Sequence, residues 1–113
     1  MTDCLFCKIA AKEIEADVVH ETEDVIAFRD INAQAPTHIL VIPKRHIASA
    51  ADLTNDDGHV LSEIFAALAS LARSEGLDGG HRIVTNVGAD AGQTVHHLHL
   101  HLLGGRPMSW PPG

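Results

Sequence analysis

Residues 97–103 read His97-Leu98-His99-Leu100-His101-Leu102-Leu103, an alternation of imidazole and aliphatic side chain. In an extended chain successive side chains point to opposite faces, so His97, His99 and His101 share one face and Leu98, Leu100 and Leu102 the other. A half-exposed strand needs only polar residues outward, and Ser, Thr, Lys or Glu would serve as well. Three histidines call for a chemical reason. Same-face neighbours stand roughly 6.5–7 Å apart, which puts His97 and His101 about 13 Å apart at Cα. With Zn–N bonds of about 2.0–2.1 Å, two adjacent imidazoles can meet on one ion, but three in a straight row cannot. The three must divide their roles. A row of imidazoles suits an extended anion such as a phosphate chain, each ring donating from one nitrogen and offering the other as base or nucleophile.

The flanks fit that chemistry. Asp90-Ala91-Gly92-Gln93-Thr94 is a glycine-containing loop entering the strand, able to offer backbone N–H groups and the Gln93 and Thr94 side chains to phosphate oxygens. Further upstream, Val60, Leu61, Ile64, Phe65, Leu68, Leu71 and Ala72 repeat at three and four residues, which predicts one long amphipathic helix. Thr54, Asn55 or Asp56 can cap its start and Gly76 its end. Residues 4–12 have a short helical pattern. Asp17–Glu21 and Val25–Arg29 read as a hairpin, Asn32–Pro36 as a turn, and His38–Ile42 as a buried strand closed by Pro43. His81–Val87 and Thr94–Leu103 read as the last two strands. The order predicts a single α+β domain with an antiparallel sheet, the leucines of the histidine strand packing under the long helix.

Composition narrows the partners. The chain has 113 residues and a formal charge of −7, with three Phe, one Trp and no Tyr. Such a surface disfavours nucleic acid, which needs a basic face or aromatic stacking platforms. Nine histidines are the outlier, and four of them fall within residues 96–101. No basic segment leads into an apolar one at the N-terminus, and no apolar run approaches a membrane span. The expectation is a cytoplasmic protein with no membrane partner. Cys4 and Cys7, spaced C-x-x-C, are open to three readings: redox chemistry, half of a zinc site, or two small hydrophobes. The redox reading loses ground because nothing strand-like precedes residue 4.

These motifs together resemble the histidine triad (HIT) superfamily. The resemblance takes in the triad itself, Asp30-Ile31, Gln34-Ala35-Pro36, Thr37 to His46, and Gly92-Gln93-Thr94-Val95. The tail Leu103-Gly104-Gly105-Arg106-Pro107-Met108-Ser109-Trp110-Pro111-Pro112-Gly113 resembles the Hint branch in particular. The resemblance implies a five-stranded antiparallel sheet with one long and one short helix, dimerising into a ten-stranded sheet. It implies hydrolysis at the α-phosphorus of a purine nucleotide, without a catalytic metal, through a covalent nucleotidyl-histidine. His99 would be the nucleophile, His101 would hydrogen-bond phosphate oxygens, and His38 would complete the cluster. Thr94 stands where the branch commonly has serine, near the leaving group. Asp30 would accept from the ribose hydroxyls. Phe6, Ile9, Phe28 and Ile31 would form the base pocket, with Asn86 and Gln93 on the phosphate side. Cys4, Cys7, His46 and His97 match the four ligands of a structural zinc found in some relatives, a closed tetrahedral set. Trp110 lies in a tail that, in the Hint branch, approaches the partner subunit's active site.

The leading expectation is a homodimeric purine nucleoside phosphoramidase acting on AMP- or GMP-linked amines such as nucleotidyl-lysine. Its alternatives are a dinucleoside polyphosphate hydrolase of the Fhit kind, a nucleotide-binding regulator with slow turnover, and a metal carrier. The Trp-Pro-Pro-Gly tail favours Hint over Fhit, and a closed Cys₂His₂ site disfavours metal release.

Overall fold

The computed structural model describes residues 3–113. Its elements are helix α1 (Leu5–Ala10), strands β1 (Val18–Glu21), β2 (Val25–Arg29) and β3 (Thr37–Pro43), helix α2 (Gly58–Ser74), and strands β4 (His81–Val84) and β5 (Leu100–Gly104). The five strands form one antiparallel sheet in the order β1-β2-β3-β5-β4. This is the expected α+β sheet with one long and one short helix.

Register divides the sheet into two chemically different faces. Residues paired across antiparallel strands share a face. Val41 pairs with Ala27 and Leu100, and Ile39 with Leu102. These residues form one buried cluster with Leu98 and with Ile64, Leu68 and Leu71 of α2. Leu98, Leu100 and Leu102 thus lie under the long helix as their alternation predicts. On the opposite face Leu40 pairs with Phe28 and His101, and Ile42 with Ile26. There the sheet packs against Cys4, Phe6 and Ile9 from α1 and its cap. The histidines therefore belong to the face covered by the short helix.

Three boundaries differ from those predicted by more than a residue or two, each for a local reason. The last strand begins at Leu100 rather than Thr94. Upstream of Leu100 the ladder positions are diverted: the His97 ring takes the Pro43 carbonyl (2.8 Å), and the Leu98 N–H donates to Ile47 (2.6 Å). Strand β4 stops at Val84, and beyond it the Thr85 hydroxyl donates to the His99 carbonyl (2.8 Å). Helix α2 is preceded by a separate 3₁₀ turn, Asn55–Asp57, closed by a capping box between Thr54 and Asp57. Phe65, placed by its spacing on the buried face of α2, is 49% exposed.

Leu102 has no exposed surface and sits where strand and helix meet. Leu102→Ala is expected to cost about 2–5 kcal/mol of unfolding free energy, the range for truncating a buried leucine. Urea denaturation checks this, and a loss under about 1 kcal/mol would contradict the packing described.

Candidate nucleotide and metal sites

His97 begins the alternating segment and is wholly buried. Its Nε2–H donates to the Pro43 carbonyl (2.8 Å), which leaves the Nδ1 lone pair to face two thiols. Cys4 Sγ lies 3.2 Å and Cys7 Sγ 3.4 Å from that nitrogen, and Cys7 Sγ lies 3.3 Å from His46 Nδ1. All four ligand atoms lie within 4.8 Å of one another. A tetrahedral ion with bonds of about 2.0–2.3 Å has edges of roughly 3.3–3.8 Å, so the donors fit a borderline-soft divalent metal. Burial, with the Cys4 thiol beside it, pushes the Cys7 thiol up to about 11. Metal binding must then displace protons and weakens as pH falls. In space His97 lies with the cysteines and His46, while His101 lies with Asp30 and His38.

His99 follows with the opposite use of its ring. Its Nδ1–H donates to the His97 carbonyl at 2.6 Å, which leaves the Nε2 lone pair free. The ring packs edge-on to Phe6 (5.1 Å between centroids) and to His101 (5.1 Å).

A third set of contacts fixes the remaining protons. The Gln34 backbone N–H donates to His38 Nδ1 (3.0 Å), so His38 carries its proton on Nε2. That nitrogen stands 2.9 Å from His101 Nδ1 and 3.3 Å from Asp30 Oδ2. His101 Nδ1 therefore accepts, and its proton lies on Nε2, which is buried and has no hydrogen-bond partner among the described residues. Burial, reinforced by His99 and His38 and opposed by Asp30, lowers the His101 pKa to about 4. Burial also lowers that of His38, against the pull of Asp30. Both rings are neutral at pH 7, and neutrality is what allows one nitrogen to donate while the other accepts.

These groups border a cavity of about 560 Å³, within the usual range for a small-molecule site. Its walls bring together Phe6, Ile9, Phe28, Asp30, Ile31, His38, Thr94, His99 and His101. Ile31 stands fully exposed at the rim. Leu5, Ile14, Glu15 and Leu40 also line it and were not anticipated. Leu40 could have been found, since it lies two residues beyond His38 on the same strand face.

Two expected residues lie elsewhere. Gln93 does not border the cavity: its Oε1 accepts from the Gly88 N–H (2.9 Å) and its Nε2 donates to the carbonyls of Ala48 (2.9 Å) and Val95 (3.1 Å). Its amide is spent on shaping the glycine loop. Asn86 also falls outside the lining. Among the other histidines, His59 stands 3.6 Å from Glu63, and His81 and His96 are exposed.

Comparison with known proteins places this arrangement. The family described as scavenger mRNA decapping enzyme C-term binding matches residues 3–110. An uncharacterized HIT-like protein of Synechococcus elongatus is 49% identical over 98% of this chain and 97% of its own. A 14 kDa zinc-binding protein of Zea mays is 48% identical over 96% of this chain and 87% of its own. The crystal structure of a HIT family hydrolase from Legionella pneumophila superposes with a TM-score of 0.96 at 55% identity, covering 98% of this chain and all of that one. On these matches the chain belongs to the histidine triad family.

Proposed function

We propose that the protein is a cytoplasmic homodimeric hydrolase of the Hint type that cleaves purine nucleoside phosphoramidates through a nucleotidyl intermediate on His99. The observation that carries this reading is the His99 ring, whose Nδ1–H is spent on a carbonyl at 2.6 Å while its Nε2 stands beside a nucleotide-sized cavity. A neutral imidazole held in this tautomer attacks phosphorus without first losing a proton.

In the first step Nε2 of His99 bonds to the α-phosphorus and the P–N bond breaks. The departing amine takes up a proton, and the Thr94 hydroxyl lies on the cavity wall to hand it on. The positive charge growing on His99 is met by the His97 carbonyl. His101, with a spare Nε2–H, donates to a phosphoryl oxygen as negative charge develops there. In the second step water attacks phosphorus and gives up a proton, which replaces the one passed to the amine; the P–Nε2 bond breaks, and His99 regains its neutral form with release of the nucleoside monophosphate. Phe6, Ile9, Phe28 and Ile31 hold the base, and Asp30 accepts from the ribose.

The four donors Cys4, Cys7, His46 and His97 would hold a structural zinc, which supplies a cross-link between α1 and the loops that follow β3 and precede β5. The edge position of β4 and the exposure of Ile83 and Phe65 beside it support pairing of two copies into a ten-stranded sheet.

Three outcomes are expected. His99→Ala should lower turnover of a fluorogenic adenosine phosphoramidate by about 10³-fold or more. Wild-type protein should cleave that substrate faster than diadenosine polyphosphates, and the reverse preference would assign the Fhit-type reaction. Metal analysis of untagged protein should find one zinc per chain, lost in Cys4→Ser, and equal metal content in both proteins would reject the site.

A further inference from the structure

The turn Asn32–Pro36 carries the backbone N–H that sets the protonation of His38, yet packing holds it weakly. Asn32, Ala33, Gln34 and Pro36 are exposed, and only Ala35 is buried. Two of its hydrogen bonds are local in sequence: the Asn32 N–H to Asp30 Oδ1 (2.8 Å) and Gln34 Nε2 to the Asn32 carbonyl (3.0 Å). The tie from a distant element is Arg106, which donates from Nε (3.2 Å) and a terminal nitrogen (3.0 Å) to the Gln34 carbonyl. Its other terminal nitrogen donates to the Pro107 carbonyl (3.1 Å), which steadies the guanidinium. Gly105, at φ +91°, brings the tail so close that a Cβ there would stand 2.8 Å from Pro36 Cβ. The segment after β5 thus clamps the turn from outside.

We propose that Arg106 is a positioning residue that selects the tautomers of His38 and His101. The proposal rests on the roles given above to His99 and His101. Two proton arrangements are chemically possible along this pair of rings. In one, His38 accepts at Nδ1 and donates from Nε2 to His101 Nδ1, so His101 keeps an N–H at Nε2. In the other, His38 carries its proton on Nδ1, accepts at Nε2 from His101 Nδ1–H, and leaves a lone pair at His101 Nε2. A lone pair there repels the phosphoryl oxygens that the first arrangement binds. The Gln34 N–H faces His38 Nδ1 at 3.0 Å and excludes the second arrangement, because two donors would then confront each other. Asp30 Oδ2, 3.3 Å from His38 Nε2, favours the same tautomer, and the share set by Gln34 lasts only while Gln34 is held. Arg106 holds it from the carbonyl side of the same residue, through a charge-assisted, two-pronged contact.

Histidine-selective ¹⁵N–¹H correlation spectra report which ring nitrogens carry protons and require no turnover. In the zinc-loaded wild-type protein His38 and His101 should both be protonated on Nε2. Arg106→Ala should show a second population with the proton on Nδ1 of both rings. Its kcat/KM for an adenosine phosphoramidate should fall about tenfold, mostly in kcat, equivalent to about 1.4 kcal/mol. Arg106→Lys, with one donor to offer the same carbonyl, should restore part of both effects. Unchanged tautomers in Arg106→Ala would overturn the proposal, and so would a fall in turnover with tautomers intact. A wild-type protein that fails to turn over phosphoramidates would overturn the hydrolase reading instead, while the spectra still decide the role of Arg106.

Discussion

The arrangement depends on one residue that is used three ways at once. The His97 ring gives its Nε2–H to Pro43 and its Nδ1 lone pair to the cysteine pair, and its backbone carbonyl receives the Nδ1–H of His99. The first contact takes the place of a ladder bond where proline ends β3. The second ties helix α1 to the sheet. The third leaves His99 with a bare nitrogen beside the cavity. Phe6, between Cys4 and Cys7 on α1, contacts the rings of both His97 and His99. The Cys₂His₂ cluster and the His99 imidazole therefore share a wall.

In the proposed function, neutral imidazoles let a chain with a formal charge of −7 receive a phosphate. Burial holds His38 and His101 below the ordinary histidine range, so the site does not rely on a cluster of fixed positive charge. It relies on protons placed on chosen nitrogens by backbone groups: a carbonyl for His99 and a peptide N–H for His38. Such placement costs no reorganisation when charge develops at phosphorus. The acidic surface argues against nucleic acid and is compatible with a single nucleotide in a small pocket.

Much of this was legible in the sequence because it rests on periodicity. The alternation from His97 to Leu102 places the leucines under α2, and the three-and-four spacing of Ile64, Leu68 and Leu71 marks the helix that covers them. Strand geometry alone separated His97 from His101. The cysteine pair was ambiguous by spacing and acquired a place only beside His46 and His97. What escaped depends on backbone groups, which have no letter in a sequence. Gln93 has the chemistry of a phosphate ligand, but the backbone of Gly88, Ala48 and Val95 consumes its amide. The early start given to the last strand fails for a similar reason, since the His97 ring and the Ile47 carbonyl take the ladder positions upstream of Leu100. Phe65 matches the helical period, yet it is half exposed, with no element of the described residues over it.

The proposed hydrolysis stands on a covalent bond between His99 and phosphorus. Wild-type protein mixed with excess adenosine phosphoramidate, quenched in base within the first turnovers and digested, should yield an adenylylated peptide whose modification maps to His99 by mass spectrometry. The adduct should be absent from His99→Ala. Steady turnover with no adduct, or an adduct on another residue, would contradict the account.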